Sequence, residues 1–227
     1  MNVVITGANR GIGLGFVNHY LAQGYNVWAT YRSDQGLLKQ IDNERLHCIQ
    51  WDITEAISDA RLQSIGVPDA IDLLINNAGV YGPKKTLGQS FDSVTADTML
   101  DVFDVDCVGA LRVSQALSSR VIAANGVIAN MSSKMGSNED NTSGGCYAYR
   151  AAKAALVIVS RSMAIDLAAD GVRVITLHPG WVSTDMTNNA GLIDVKTSVT
   201  GLALVIENVD RYDPGSFIAF DGKVVPF

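Results

Sequence analysis

Short apolar runs of strand length alternate with segments of helical period along the whole of this 227-residue chain. The runs are rich in Val and Ile and mostly apolar on both faces, which is typical of parallel strands covered on two sides. Their short connections, in a repeated strand–helix–strand order, predict a doubly wound α/β sheet of about seven parallel strands with helices on both faces. The predicted strands are Val3–Thr6, Asn26–Thr30, Leu46–Gln50, Ile71–Asn76, Gly126–Ser132, Val172–Leu177 and Phe217–Phe220.

Amphipathic segments between these runs predict the helices of the same fold. No internal repeat or linker interrupts the pattern, so residues 1–227 are predicted to form a single domain. The polar stretch Thr184–Lys196 is predicted as a loop or short helices over the site. The predicted helices are Gly11–Gln23, Thr95–Ala124, Tyr147–Ala169 and Thr197–Asn208.

Charge and composition exclude several classes of partner. The net charge of −6 and the isoelectric point near 4.9 argue against nucleic acid or an anionic membrane as the main partner. No apolar run approaches the ~18–20 residues that cross a bilayer, and the first residues read directly into a strand rather than a signal peptide. Three widely spaced cysteines and scattered histidines predict reduced thiols, a cytoplasmic protein and no metal site.

A glycine-rich turn follows the first predicted strand and opens the first predicted helix. In an α/β sheet of the Rossmann type, this turn holds the pyrophosphate of a dinucleotide, because free N–H groups at the helix N-terminus attract an anion. A tight turn without a ligand is the alternative interpretation. The candidate cofactor-binding residues here are Gly7, Asn9, Arg10, Gly11, Ile12 and Gly13.

The end of the second strand indicates which nicotinamide cofactor is bound. NAD sites place an acidic residue there to hold the ribose 2′-hydroxyl, whereas this chain has Arg32 and no carboxylate before Asp34. Arg32 and Arg10 can form a cationic clamp for a 2′-phosphate, so we predict NADP(H) rather than NAD(H). The alternative is a pair of solvated arginines.

Tyr149 and Lys153 lie four residues apart in a predicted helix and therefore share one face. A nearby ammonium favours the phenolate and is expected to lower the pKa of Tyr149. Such a phenol can give a proton to a carbonyl oxygen or take one from an alcohol. An exposed Tyr beside a solvated Lys is the structural alternative.

Taken in order, these motifs resemble the short-chain dehydrogenase/reductase family, and the resemblance covers nearly the whole chain. It is strongest to the branch that holds C-factor and the sniffer-type carbonyl reductases. The matching residues are Thr6-Gly7 through Gly13, Asp52-Ile53, Asn76-Asn77-Ala78-Gly79, Ser132-Ser133, Tyr149 with Lys153, and His178-Pro179-Gly180-Trp181-Val182 with Thr184.

The resemblance implies a role for each matching position. Ser133 would hydrogen-bond the substrate carbonyl, with Ser132 as the alternative, Tyr149 would be the general acid–base, and Lys153 would bind the nicotinamide ribose. Asp52 and Ile53 would contact the adenine. The remaining implied cofactor-binding residues are Asn77, Ala78 and Gly79 around the adenosine and ribose, and Pro179, Gly180, Val182 and Thr184 around the nicotinamide.

One departure from the family concerns Asp106. Most relatives carry an Asn at this position of the fourth helix, where it completes a proton relay to the lysine. A carboxylate near Lys153 would offset part of the effect of the ammonium on Tyr149. We therefore count Asp106 among the candidate catalytic residues, and a purely structural Asp is the alternative.

The predicted function is reversible, NADP(H)-dependent hydride transfer between nicotinamide and a small carbonyl or alcohol substrate. The resemblance also implies a homodimer or homotetramer. The alternative is a signalling or redox-sensing protein, similar to C-factor, that binds the cofactor with little turnover. The candidate substrate-pocket residues, assigned by motif position, are Tyr81, Met135, Cys146, Trp181 and Met186.

Overall fold

The computed structural model describes residues 1–83 and 88–227. Seven strands form one parallel sheet in the order β3-β2-β1-β4-β5-β6-β7, which confirms the predicted fold class. The strands are β1 (Asn2–Ile5), β2 (Asn26–Tyr31), β3 (Leu46–Gln50), β4 (Leu73–Asn76), β5 (Val127–Met131), β6 (Arg173–His178) and β7 (Phe217–Ala219).

The helices follow the predicted order, with one additional short helix, Asp59–Ser64, and two differences of detail. The predicted helix Thr95–Ala124 contains a π-helical turn, Asp104–Val108, between two α-helices. The last long helix begins earlier than predicted, because the Asp194 side chain accepts a hydrogen bond from the Thr197 amide and caps it. The α-helices are α1 (Gly11–Ala22), α2 (Asp59–Ser64), α3 (Ala96–Phe103), α4 (Gly109–Ala123), α5 (Tyr147–Asp166) and α6 (Val195–Glu207).

Apolar layers cover both faces of the sheet. Along β1, Val3 and Ile5 pack with α1 and α6 on one face, and Val4 packs with α4 and α5 on the other. This two-sided burial is the reason that the strands read as continuous apolar runs rather than as alternating ones. No helix in residues 1–83 and 88–227 is long and apolar enough to span a bilayer.

The strand order reverses beside β1, which pairs with β2 on one side and with β4 on the other. In open parallel sheets a crevice forms beyond the carboxyl ends of the strands at such a reversal. Here the Thr6 hydroxyl joins the two loops across the crevice, accepting hydrogen bonds from the amides of Asn77 and Ala78 at 3.0 Å each. The fold thus brings the glycine-rich turn against the end of β4.

Candidate active site

The glycine-rich turn packs too tightly for larger residues at two of its positions. Gly7 has a φ of +61°, and a Cβ there would lie 2.7 Å from the Ala78 Cα. A Cβ on Gly13 would clash with the carbonyl oxygen of Gly7. Arg10, the N-cap of α1, makes no side-chain capping bond, so the first amides of α1 remain available to a ligand. This cradle fits the pyrophosphate of a dinucleotide.

Asn77 holds the turn from the opposite side. Its side-chain nitrogen donates to the backbone carbonyls of Thr6 and Gly7 at 3.0 Å each. The residue borders the cleft, as the sequence predicted for an adenosine contact, but its amide nitrogen is already engaged. Asn77 therefore fixes the shape of the phosphate-binding turn.

The far end of the cleft carries the residues predicted for adenine and the ribose phosphate. A hydrogen bond from the Thr54 amide lowers the pKa of Asp52, and its Oδ1 also accepts from the Thr54 hydroxyl. Arg32 and Arg10 line the same cleft. Arg10 lies 3.5 Å from Asp185, but both side chains are exposed, so the ion pair is weak and leaves Arg10 free to turn towards an anion.

Tyr149 and Lys153 are both buried and share one face of α5. The Lys153 Nζ lies 5.7 Å from the centre of the Tyr149 ring. It donates to the carbonyl of Met131 at 3.1 Å and lies 3.2 Å from Oδ2 of Asp106. The four-residue spacing brings both side chains to one face of α5. The Met131 carbonyl at the end of β5 and the Asp106 carboxylate of the π turn contact the ammonium.

The environment keeps the Tyr149 phenol protonated. Burial raises its pKa, and the Asp106 carboxylate raises it further, whereas Lys153 and the nearby Ser133 hydroxyl lower it. The net pKa lies above the ordinary value for tyrosine. Lys153 lowers the pKa of Tyr149 as expected, but burial outweighs the ammonium, so the expected net lowering does not occur.

Asp106 points inward from the π turn. Its Oδ1 accepts a hydrogen bond from the Val80 amide at 2.7 Å, and its side chain is fully buried. Burial raises the pKa of Asp106, and Lys153 opposes that rise. Burial is the largest influence on the pKa of Lys153 and lowers it, but Asp106, Tyr149 and Cys107 together raise it and the net shift is upward. The lysine therefore keeps its charge.

The two serines after β5 have different surroundings. The Ser132 hydroxyl donates to the backbone carbonyl of Lys153 at 2.9 Å, so its proton is already engaged. The Ser133 hydroxyl accepts from the Met135 amide at 3.2 Å and lies close enough to Tyr149 to affect its pKa. Ser133 is thus the serine whose hydroxyl proton is available beside the phenol.

Three of the predicted substrate-pocket residues lie around Tyr149 or Ser133. The Tyr81 ring centre lies 4.9 Å from that of Tyr149, and the Tyr81 hydroxyl lies 2.8 Å from the Cys146 Sγ. Met135 follows Ser133 in a short 3-10 helix. Met186 borders the dinucleotide cleft, and Trp181 is 54% exposed in the loop after β6.

Most predicted cofactor residues line a single cleft. Gly13 is packed beneath the turn, and Gly180 and Val182 are not on the cleft surface. Asp106 and Ser132 also border the cleft. The predicted cofactor residues on its surface are Gly7, Asn9, Arg10, Gly11, Ile12, Arg32, Asp52, Ile53, Asn77, Ala78, Gly79, Tyr149, Lys153, Pro179 and Thr184.

Two polar residues that were not predicted from the sequence make hydrogen bonds to segments of the site. Arg112 on α4 donates to the Ile53 carbonyl at 2.6 Å and so braces the adenine end. Gln89 is completely buried and contacts both Tyr81 and Tyr149. Neither residue belongs to a motif, and each acts across a long stretch of chain. Among the described residues, no group of three or more His, Cys, Asp or Glu could hold a metal ion.

Comparison with known proteins agrees with this geometry. The family model described as short chain dehydrogenase matches residues 1–192. The chain belongs to the short-chain dehydrogenase family. C-signal of Myxococcus xanthus is 40% identical over 158 residues, which span 69% of this chain and 93% of that protein.

Solved structures of carbonyl reductases superpose along the full length of the chain. NADPH-bound carbonyl reductase from chicken fatty liver has a TM-score of 0.87 at 30% identity, covering 100% of this chain and 98% of that one. Carbonyl reductase Sniffer of D. melanogaster has a TM-score of 0.89 at 27% identity, covering 100% and 99%. The predicted family is confirmed, together with its similarity to carbonyl reductases. The chain is an oxidoreductase of the short-chain dehydrogenase type.

Proposed function

We propose that this short-chain dehydrogenase is an NADP(H)-dependent reductase of small carbonyl compounds. The observation that carries the proposal is the buried Tyr149–Lys153 pair on the surface of a dinucleotide cleft, with the Ser133 hydroxyl beside the phenol. The NADPH in the chicken carbonyl reductase, whose structure superposes on all of this chain, supports the choice of cofactor.

The chain has a residue for each part of a dinucleotide phosphate. The amides at the start of α1 would hold the pyrophosphate, and Asp52 and Ile53 would contact the adenine. Arg10 and Arg32 would supply two positive charges for a 2′-phosphate, and Lys153 would hydrogen-bond the nicotinamide ribose. When bound, the reduced nicotinamide supplies the hydride for the carbonyl carbon.

Side chains of the protein supply the proton that the carbonyl oxygen takes up during reduction. Tyr149, which burial and Asp106 keep protonated, donates its phenolic proton to the carbonyl oxygen as negative charge develops there. Ser133 donates a hydrogen bond to the same oxygen and orients the substrate. The charged Lys153 then stabilises the phenolate, and the reverse sequence oxidises an alcohol.

The direct test is replacement of Tyr149 by Phe, which keeps the ring and removes the proton. General acid catalysis contributes about 10²- to 10⁴-fold, so we expect a loss of that size in kcat for NADPH-dependent reduction of aldehydes, ketones and quinones. Replacement of the half-exposed Tyr147 by Phe is the matched control and should leave the rate unchanged. A Tyr149→Phe enzyme that works at the parent rate contradicts the proposal. Tight NADPH binding with no reduction in the parent would favour the sensing alternative.

The cofactor assignment has its own test in Arg32→Ala. A hydrogen bond to a charged group contributes about 1.5–3 kcal/mol, so the Kd for NADPH should rise roughly 10- to 100-fold. The Kd for NADH should stay the same, because NADH lacks the 2′-phosphate. Both constants are measured by quenching of protein fluorescence. Equal weakening of the two cofactors would show that Arg32 does not select the phosphate.

A further inference from the structure

The buried side chain of Gln89 joins two parts of the active site that are far apart in sequence. Its Nε2 donates to the carbonyl oxygens of Tyr81 and Pro83 at 2.6 and 2.7 Å. Its Oε1 accepts from the backbone amide of Tyr149 at 3.0 Å. The side chain has no solvent exposure, so these three bonds account for its polar atoms.

The bond to Tyr149 supplies a cap that α5 does not provide for itself. The first amides of a helix need acceptors, and an N-cap side chain usually bonds the second or third of them. Here the N-cap is Cys146, which has a φ of +53° and makes no side-chain capping bond. Tyr149 is the third residue of α5, and Gln89 takes the place of the missing cap.

The bonds to the Tyr81 and Pro83 carbonyls fix the backbone of the segment whose Tyr81 ring packs against the Tyr149 ring. The Tyr81 ring packs 4.9 Å from the Tyr149 ring, and the Tyr81 hydroxyl reaches the Cys146 Sγ at the start of α5. The backbone of Tyr81 is therefore held by Gln89, and its hydroxyl contacts the helix that Gln89 caps. The Gln89 carboxamide thus bonds the backbone of both residues whose rings pack together, Tyr81 and Tyr149.

We propose that Gln89 is a positioning residue for the reductase reaction, which aligns Tyr149 with the carbonyl substrate held against Tyr81. This inference rests on the proposed function. Gln89 bonds Tyr149 and Tyr81 and does not itself border the dinucleotide cleft, so we expect it to affect the chemical step more than the binding of NADPH. Displacement of a catalytic group by about 1 Å can cost on the order of 10²-fold in rate.

The test is Gln89→Met, which keeps the length of the side chain and removes its polar atoms. We expect kcat at saturating carbonyl substrate to fall at least about tenfold, while the Kd for NADPH stays within about twofold of the parent value. Amide hydrogen exchange at Tyr149, followed by NMR, should accelerate because its acceptor is gone. The control is Gln40→Met, at an exposed residue, which should change none of the three quantities.

The possible outcomes separate this inference from the proposed function. A Gln89→Met protein with the parent kcat and unchanged Tyr149 exchange overturns the role of Gln89. A parent protein that reduces no carbonyl overturns the proposed function, and the exchange rate of Tyr149 still decides whether Gln89 caps α5. If Gln89→Met does not fold, Gln89→Glu retains an acceptor oxygen. It should then preserve the slow exchange of Tyr149, and fast exchange in the folded variant overturns the inference.

Discussion

One buried carboxylate lies beside Lys153. Asp106 lies 3.2 Å from the Lys153 ammonium, and both side chains are buried, so solvent screens their interaction little. The carboxylate raises the pKa of Lys153 and also that of Tyr149. With Asn at this position, the lysine would act on the phenol without that opposition.

Asp106→Asn should therefore shift the pH–rate profile to lower pH. Removal of the negative charge lowers the pKa of Tyr149, because Asp106 is one of the causes that raise it. Reduction needs the protonated phenol. As pH rises, the variant would therefore lose its reductase activity at a lower pH than the parent protein does. Alcohol oxidation needs the phenolate and would begin at a lower pH. The profiles of kcat/KM in both directions measure the shift, and Asp101→Asn, at an exposed residue of α3, is the control. An unchanged profile would remove Asp106 from the mechanism.

At the scale of elements, a polar ladder crosses the interior between α4, β4, β5 and α5. The Asn76 side chain donates to Ser114 and to Asn130, and Asn130 donates in turn to Ser160. Asn130 and Ser160 are completely buried, and Asn76 and Ser114 nearly so. The ladder ties the helix that carries Tyr149 to the centre of the sheet, since buried polar groups fix the relative position of the elements that they join.

Asn130→Ala should destabilise the protein. The change leaves one amide proton of Asn76 and one acceptor site of Ser160 without partners, and each such loss costs about 1–3 kcal/mol. The free energy of unfolding, measured by urea denaturation, should fall by at least that amount. Asn138→Ala, at an exposed position, should have little effect. Equal stabilities of the two variants would mean that the ladder does not hold these elements together.

Elements were easier to predict than their local irregularities. The apolar runs identified all seven strands to within two residues at each end, because two-sided burial leaves a strong local pattern. The π turn that brings Asp106 close to Lys153 has no comparable sequence pattern, since Asp104–Val108 continues the helical period of its neighbours. The short helix α2 was also missed, because it buries only Leu62.

For the whole molecule, the reversal of strand order beside β1 explains why distant motifs form one site. It places the turn at Gly7, the end of β4 and the start of α5 at the same edge of the sheet. Homo-oligomerisation stays a prediction. Exposed apolar side chains on α3 and α5, including Leu100, Ile158 and Ile165, are compatible with it.

Local patterns were enough to predict the fold class, the glycine-rich turn and the Tyr149–Lys153 pair, because each lies within a short stretch of chain. The direction of the Tyr149 pKa shift, the availability of the Ser133 hydroxyl rather than that of Ser132, and the contacts of Gln89 emerge only in the folded molecule. These depend on burial and on bonds between residues far apart in the chain. Desolvation and long-range hydrogen bonds exist only once the chain has folded, so no local pattern encodes them.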